Sequence, residues 1–98
     1  MAKTQTLTKT KVELKFPRRF NVILHNDDFT PMEFVIHLLV EIFNKNIDQA
    51  KDITLKIHNE GRAVAGTYSL EIAEQKVQEA TIISRHSGHP LQISHEPV

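Results

Sequence analysis

The chain of 98 residues has no cysteine. That excludes a disulfide framework, a thiolate nucleophile and a thiolate metal site, and it fits a reducing cytosol. No apolar run approaches the ~20 residues needed to cross a bilayer as a helix. The N-terminal stretch is rich in Thr and Lys and lacks an apolar h-region, so it does not read as a secretory signal. There is no Gly-rich oxyanion turn and no nucleophile elbow around any Ser or Thr, which argues against hydrolytic catalysis. Of the six histidines, His86, His89 and His95 are close in sequence. They straddle a helix end, a turn and a strand, and no pair has metal-ligand spacing on one helix, so no metal and no cofactor is expected.

The net charge of zero conceals an asymmetry. Residues 1–19 carry six Lys and Arg against the single acid Glu13, a balance of +5, and the remainder carries six against eleven, −5. A basic tail on an acidic body suits nucleic acid, but the body offers no basic stripe and no exposed aromatic platform. A tail that engages a protein partner is preferred, with a merely solubilising tail as the alternative. Residues 1–16, with little apolar content, read as a flexible, disordered arm, and 17–98 as one core domain.

Within that core the pattern predicts β-α-α-β-α-β. Arg19 to His25 alternates, with Phe20, Val22 and Leu24 on one face of a strand. Pro31 to about Asn44 carries a wide apolar stripe at helical spacing. Thr30 is placed as its N-cap, Pro31 at its first position, Glu33 as the capping-box partner, and Phe29 with Phe34 as a hydrophobic staple. Asp48 is the expected cap of a second helix, with Ala50, Ile53 and Ile57 as its seam and Gly61 as its stop. Arg62 to Tyr68 is a short strand, with Val64, Gly66 and Tyr68 on one face and Ala63, Ala65 and Thr67 on the other. Its small residues suggest a helix packed closely upon it. Ser69 caps a third helix to about His86 that buries Ile72, Ala73, Val77 and Ala80, and Leu91 to His95 is the last strand. This is a small α+β domain: a three-stranded antiparallel sheet packed by three helices.

The run Asn26-Asp27-Asp28-Phe29-Thr30 leaves a strand and enters a helix. It reads either as a turn formed by its Asn and Asp or as a recognition loop held by the helix start. His58 is read either as a half-buried histidine satisfied by a backbone carbonyl or as an imidazole beside that loop. In the second case the group forms an acceptor-rich cup for a cation; an Asp27–His58 hydrolytic pair is a third reading.

The segment from Leu24 through Val35 resembles the signature of the ClpS family, bacterial adaptors of the ATP-dependent Clp protease. The likeness continues through Ile57-His58-Asn59-Glu60-Gly61, Glu71 to Val77 and His89-Pro90-Leu91, in register over roughly residues 18–95. The resemblance implies a non-enzymatic receptor, monomeric and cytoplasmic, for substrates that begin with Phe, Tyr, Trp or Leu. These would be delivered to the ClpA-type AAA+ unfoldase of the ClpA–ClpP protease, with no nucleic acid or membrane as partner. It implies that Asn26, Asp27 and His58 receive the substrate α-amine and that Asp28 and Thr30 shape the loop and bond the first peptide group. Met32, Val35, Thr54, Ile57 and Leu91 would line the apolar pocket, Glu71, Glu74 and Lys76 would dock on the unfoldase N-domain, and the unfoldase would engage the arm during delivery. The family commonly has Met at the position of Thr54 and Val at that of Ile57. The alternative is an α+β interaction domain that docks on an unfoldase or another partner without binding N-degrons.

Overall fold

A computed structural model describes residues 18–98; the expected arm, residues 1–16, lies outside the described residues. The elements are β1 (Phe20–His25), α1 (Met32–Glu41), α2 (Ile47–Glu60), β2 (Arg62–Tyr68), α3 (Leu70–His86) and β3 (Gln92–Pro97). The sheet order is β2-β1-β3, with β1 central and antiparallel to both neighbours. The helices cover one face: α3 contacts all three strands, α2 packs on β2, and α1 packs on α2. This is the expected α+β layer.

The core forms where the inward faces meet. Val22 and Leu24 of β1 pack with Val35, Leu38 and Leu39 of α1, Ala50 and Ile57 of α2, Ala73 and Ala80 of α3, and Leu91 and Ile93. Burying each large aliphatic side chain here contributes about 1.5–3 kcal/mol. Ile23 points to the opposite face yet is only 1% exposed. Val64 and Ser94 are its cross-strand partners, and the Arg62–Glu96 ion pair, 2.7 Å, joins the two flanking strands on that face.

Several local expectations are corrected. Pro31, not Thr30, is the N-cap of α1, and no side chain caps it, because the Thr30 hydroxyl donates to Asp27 instead. Phe29 is 79% exposed, so the staple to Phe34 does not close. Helix α1 ends at Glu41 rather than about Asn44, and Asn44 takes a left-handed φ of 56°, a conformation its short polar side chain tolerates. Asn46, not Asp48, caps α2, in a reciprocal capping box with Gln49. Gly61 ends that helix with φ 91°, as expected. On α3, Ser69 is the N-cap, while Ile72 is exposed rather than buried.

Strand β2 departs from simple alternation. Val22 pairs with Gly66 but Ile23 pairs with Val64, so Ala65 is an extra residue, a β-bulge. Beyond it the faces exchange. Ala63 and Ala65 face the core, but so does Tyr68, which simple alternation puts on the other face, while Thr67 turns outward and donates to Asn21 at 2.6 Å. A Cβ on Gly66 would collide with the Tyr68 ring, which lies across it.

Candidate functional site

Four chain segments converge at one end of the sheet: the end of β1, the start of α1, the end of α2 and the residue before β3. The joint is made by backbone bonds. Asn26 N–H donates to the Gly61 carbonyl at 2.8 Å, which fastens the loop after β1 to the turn that closes α2. His58 is one turn before that point on α2. Leu91 arrives beside it because His25 pairs with Gln92.

The loop is organised by Asp27. Its Oδ1 accepts the backbone N–H of Phe29 and of Thr30, each at 2.7 Å, and its Oδ2 accepts the Thr30 hydroxyl at 2.8 Å. Partial burial alone would raise the pKa of this carboxyl. The Thr30 and Phe29 N–H groups, the Thr30 hydroxyl and the nearby His89 outweigh burial, and the net shift is downward. Asp27 is therefore ionised throughout the neutral range. Its oxygens retain lone pairs for a further donor, since a carboxylate has about four acceptor sites.

The walls enclose a cavity of ≈ 260 Å³ lined by His25, Asn26, Asp27, Asp28, Thr30, Met32, Val35, Thr54, Ile57, His58 and Leu91. All ten residues expected at the loop and pocket are thus brought together. Val35, Thr54, Ile57 and Leu91 are buried and supply the interior; Asn26, Asp28 and His58 are exposed and stand at the rim. The volume is below the roughly 300–1,000 Å³ of sites for drug-sized ligands, so it suits a single side chain. The Thr54 hydroxyl donates to the Ala50 carbonyl at 2.7 Å, leaving its methyl group as the part free to meet a ligand.

His58 is exposed, so the reading of a half-buried histidine satisfied by a backbone carbonyl does not hold. His25 is the pocket residue that the sequence reading missed. Its Nε2 lies 2.8 Å from Ser94 Oγ, which fixes the ring at the strand end. Its place directly before Asn26 was the available signal.

The residues expected to dock on a partner lie elsewhere. Glu71 and Glu74 are exposed on the first turns of α3. Lys76 is half-buried; its Nζ donates to the Ile42 carbonyl at 2.8 Å and stands 6.0 Å from the centroid of the Tyr68 ring. It thereby satisfies an orphan carbonyl at the end of α1. Among the described residues no group of three or more acidic or histidine side chains could hold a metal ion. His89 packs edge-on against Phe34 and His95 against Phe20, at separate places.

Residues 15–94 match the family model described as ATP-dependent Clp protease adaptor protein ClpS. The chain is 48% identical to the ATP-dependent Clp protease adapter protein ClpS of Vibrio atlanticus over 92 residues, covering 94% of this chain and 87% of that protein. It is 49% identical to the ClpS of Paraburkholderia phymatum, covering 88% and 83% of the two chains. Among solved structures, that of Agrobacterium tumefaciens ClpS2 bound to L-phenylalaninamide superposes with a TM-score of 0.82 at 36% identity, covering 85% of this chain and all of that one.

Proposed function

The chain belongs to the ClpS family of Clp protease adaptors, non-catalytic proteins, and we propose that it captures the N-terminal residue of substrates and hands them to a ClpA-type unfoldase. The observation that carries this reading is the small cavity whose lining joins an apolar interior to the polar side chains of Asn26, Asp27 and His58. An α-ammonium group has three donors and no acceptor; an amide oxygen, a carboxylate and an imidazole nitrogen complement it. The apolar interior then reads the attached side chain, at about 0.8 kcal/mol per buried CH₂. Capture of an N-terminal amine beside one side-chain pocket is a recurring mode of peptide recognition. Phenylalaninamide, the ligand of the similar ClpS2, carries a free amine and one aromatic side chain, as does the first residue of a peptide.

In this reading the preferred first residues are Phe, Tyr, Trp and Leu. Asp28 and Thr30, carried on the loop that Asp27 holds, bond the first peptide group. Glu71, Glu74 and Lys76 mark the docking surface for the unfoldase N-domain, and the basic arm of residues 1–16 is engaged during delivery of the substrate held by the 17–98 core. The adaptor acts as a cytoplasmic monomer. Calorimetric titration with a peptide beginning with Phe, free and N-acetylated, tests the proposal. Binding lost on acetylation is expected. Equal binding of both forms, or of neither, favours an interaction domain that does not recognise N-degrons.

A further inference from the structure

Arg85, in the last turn of α3, is exposed and does not line the pocket. Its guanidinium nevertheless holds a residue that does. Nη1 donates to the Leu91 carbonyl at 2.7 Å and to the His89 carbonyl at 3.0 Å. One nitrogen thus spans the three residues that lead from the turn after α3 into β3. Pro90, between the two carbonyls, has no N–H with which to hold itself. On one side the segment is tied by the His89 N–H to the Ser84 carbonyl at 2.8 Å, and on the other by the pairing of Gln92 with His25. The His89 ring is set edge-on against Phe34 of α1, 4.5 Å between centroids. Leu91 itself is 1% exposed and forms part of the apolar interior of the pocket.

We propose that Arg85 is a positioning residue for the pocket: by fixing the backbone of Leu91 it sets how closely the interior grips the first side chain of a substrate. The inference rests on the reading that this side chain fills the pocket. Core packing keeps Leu91 out of water, but the hydrophobic effect is non-directional and does not by itself fix where Leu91 stands relative to Val35, Thr54 and Ile57 across the cavity. Hydrogen bonds are directional, and a binding group has to be held to within about 0.5 Å of its working position. Two charge-assisted bonds from a planar guanidinium supply that restraint. The amine end of the site stands on the loop from Asn26 to Thr30, which Asp27 and the bond from Asn26 to Gly61 hold without Arg85. Arg85 therefore acts on selection of the side chain and not on capture of the amine.

Two peptides that differ only in the first residue, Phe or Ala, carry the same amine, so the ratio of their affinities reports the apolar interior. The ratio is measured by competition against a labelled Phe-initiated peptide on the full-length protein and on Arg85→Met, Arg85→Lys and Ser69→Ala. Met is a good helix former and suits an exposed helical position. Ser69→Ala removes the N-cap at the far end of the same helix, and so loosens α3 without touching the pocket. Arg85→Met should bind the Phe peptide about fivefold more weakly, the contact of roughly one buried CH₂, and the Ala peptide as the parent does. Arg85→Lys, which keeps the charge and three donors on a flexible stem, should recover most of the ratio. Ser69→Ala should lower Tm and keep the parent ratio. An unchanged ratio in Arg85→Met overturns this inference and leaves the pocket reading standing. So does an equal fall in Ser69→Ala, which would trace the effect to the stability of α3, or no recovery in Arg85→Lys. Failure of the parent to bind the Phe peptide overturns both.

Discussion

Asp27 accepts both the backbone N–H and the hydroxyl of Thr30, at 2.7 and 2.8 Å, and this pair holds the loop that forms one wall of the pocket. The same contact explains why Thr30 does not cap α1: its hydroxyl is already committed. Asp27→Ala should therefore weaken peptide binding by roughly 1.5–3 kcal/mol, the size of a hydrogen bond to a charged group. Thr30→Val, which keeps the N–H bonds, should cost about 0.5–1.5 kcal/mol. His58→Ala should fall in the range of Asp27→Ala with Tm unchanged, since the ring is exposed. Calorimetry on the three variants measures this; affinities equal to the parent in all of them remove the rim from recognition.

Binding should fall as pH rises past the free α-amine value of about 7.7–8.0, because only the ammonium supplies three donors. On the acid side, the Asp27 pKa is depressed in the folded protein. Its contribution to loop stability is then fully present above the unfolded carboxyl value, about 3.9, and is lost as pH falls through the folded value. Titrations from pH 4 to pH 10 decide it: an affinity that is unchanged at the alkaline end rules out capture of the charged amine.

Lys76 has a structural task whatever else it does, since its ammonium satisfies the Ile42 carbonyl. Lys76→Met keeps most of the stem and removes the donor. It should cost about 1–3 kcal/mol of stability, the penalty of an unpaired polar group, less whatever water recovers at this half-buried site. Glu71→Ala and Glu74→Ala, at exposed positions, should stay within about 0.5 kcal/mol of the parent. Denaturant unfolding separates them. If Lys76→Met loses unfoldase binding at full stability, the lysine acts at the docking surface and not on α1.

Deleting residues 1–16 should leave peptide affinity intact and abolish delivery to the protease. The segment lies outside the described residues and carries a concentrated positive charge, with Lys3, Lys9, Lys11 and Lys15 against Glu13. Full-rate degradation of a Phe-initiated model substrate by the truncated adaptor would reduce the arm to a solubilising tail.

The features legible in the sequence were those set by strong local rules. Gly61 stops α2 because a left-handed residue is needed there, and Ser69 caps α3. The pocket residues followed from the resemblance and gathered as one cavity. What was misread depended on competition or on one inserted residue. Thr30 had two possible partners and Asp27 won. Asn46 and Asp48 both suit an N-cap, and only Asn46 has Gln49 three residues on. The bulge at Ala65 exchanges the faces of Thr67 and Tyr68, which a period of two does not anticipate. Ile72 obeys the helical spacing of α3 but falls at the edge of the face that the sheet covers.

Thr54 should set the ranking among first residues. It is 3% exposed and lines the pocket, where the ClpS family commonly carries Met. Its hydroxyl is tied to the Ala50 carbonyl, so it acts on the ligand chiefly through its shorter reach rather than its polarity. Met is longer, flexible and apolar, and closes over small and flat side chains alike. With Thr the interior is wider, which admits Trp and Tyr and leaves Leu with fewer contacts. Thr54→Met should therefore tighten Leu-initiated peptides more than aromatic ones, by about 0.8 kcal/mol per CH₂ newly buried. Thr54→Val, equal in size and without the hydroxyl, should keep the parent ranking. Measuring Phe, Tyr, Trp and Leu peptides on the three proteins distinguishes the terms. A ranking that Val changes as much as Met does would mean that the hydroxyl leaves Ala50 and reaches the ligand.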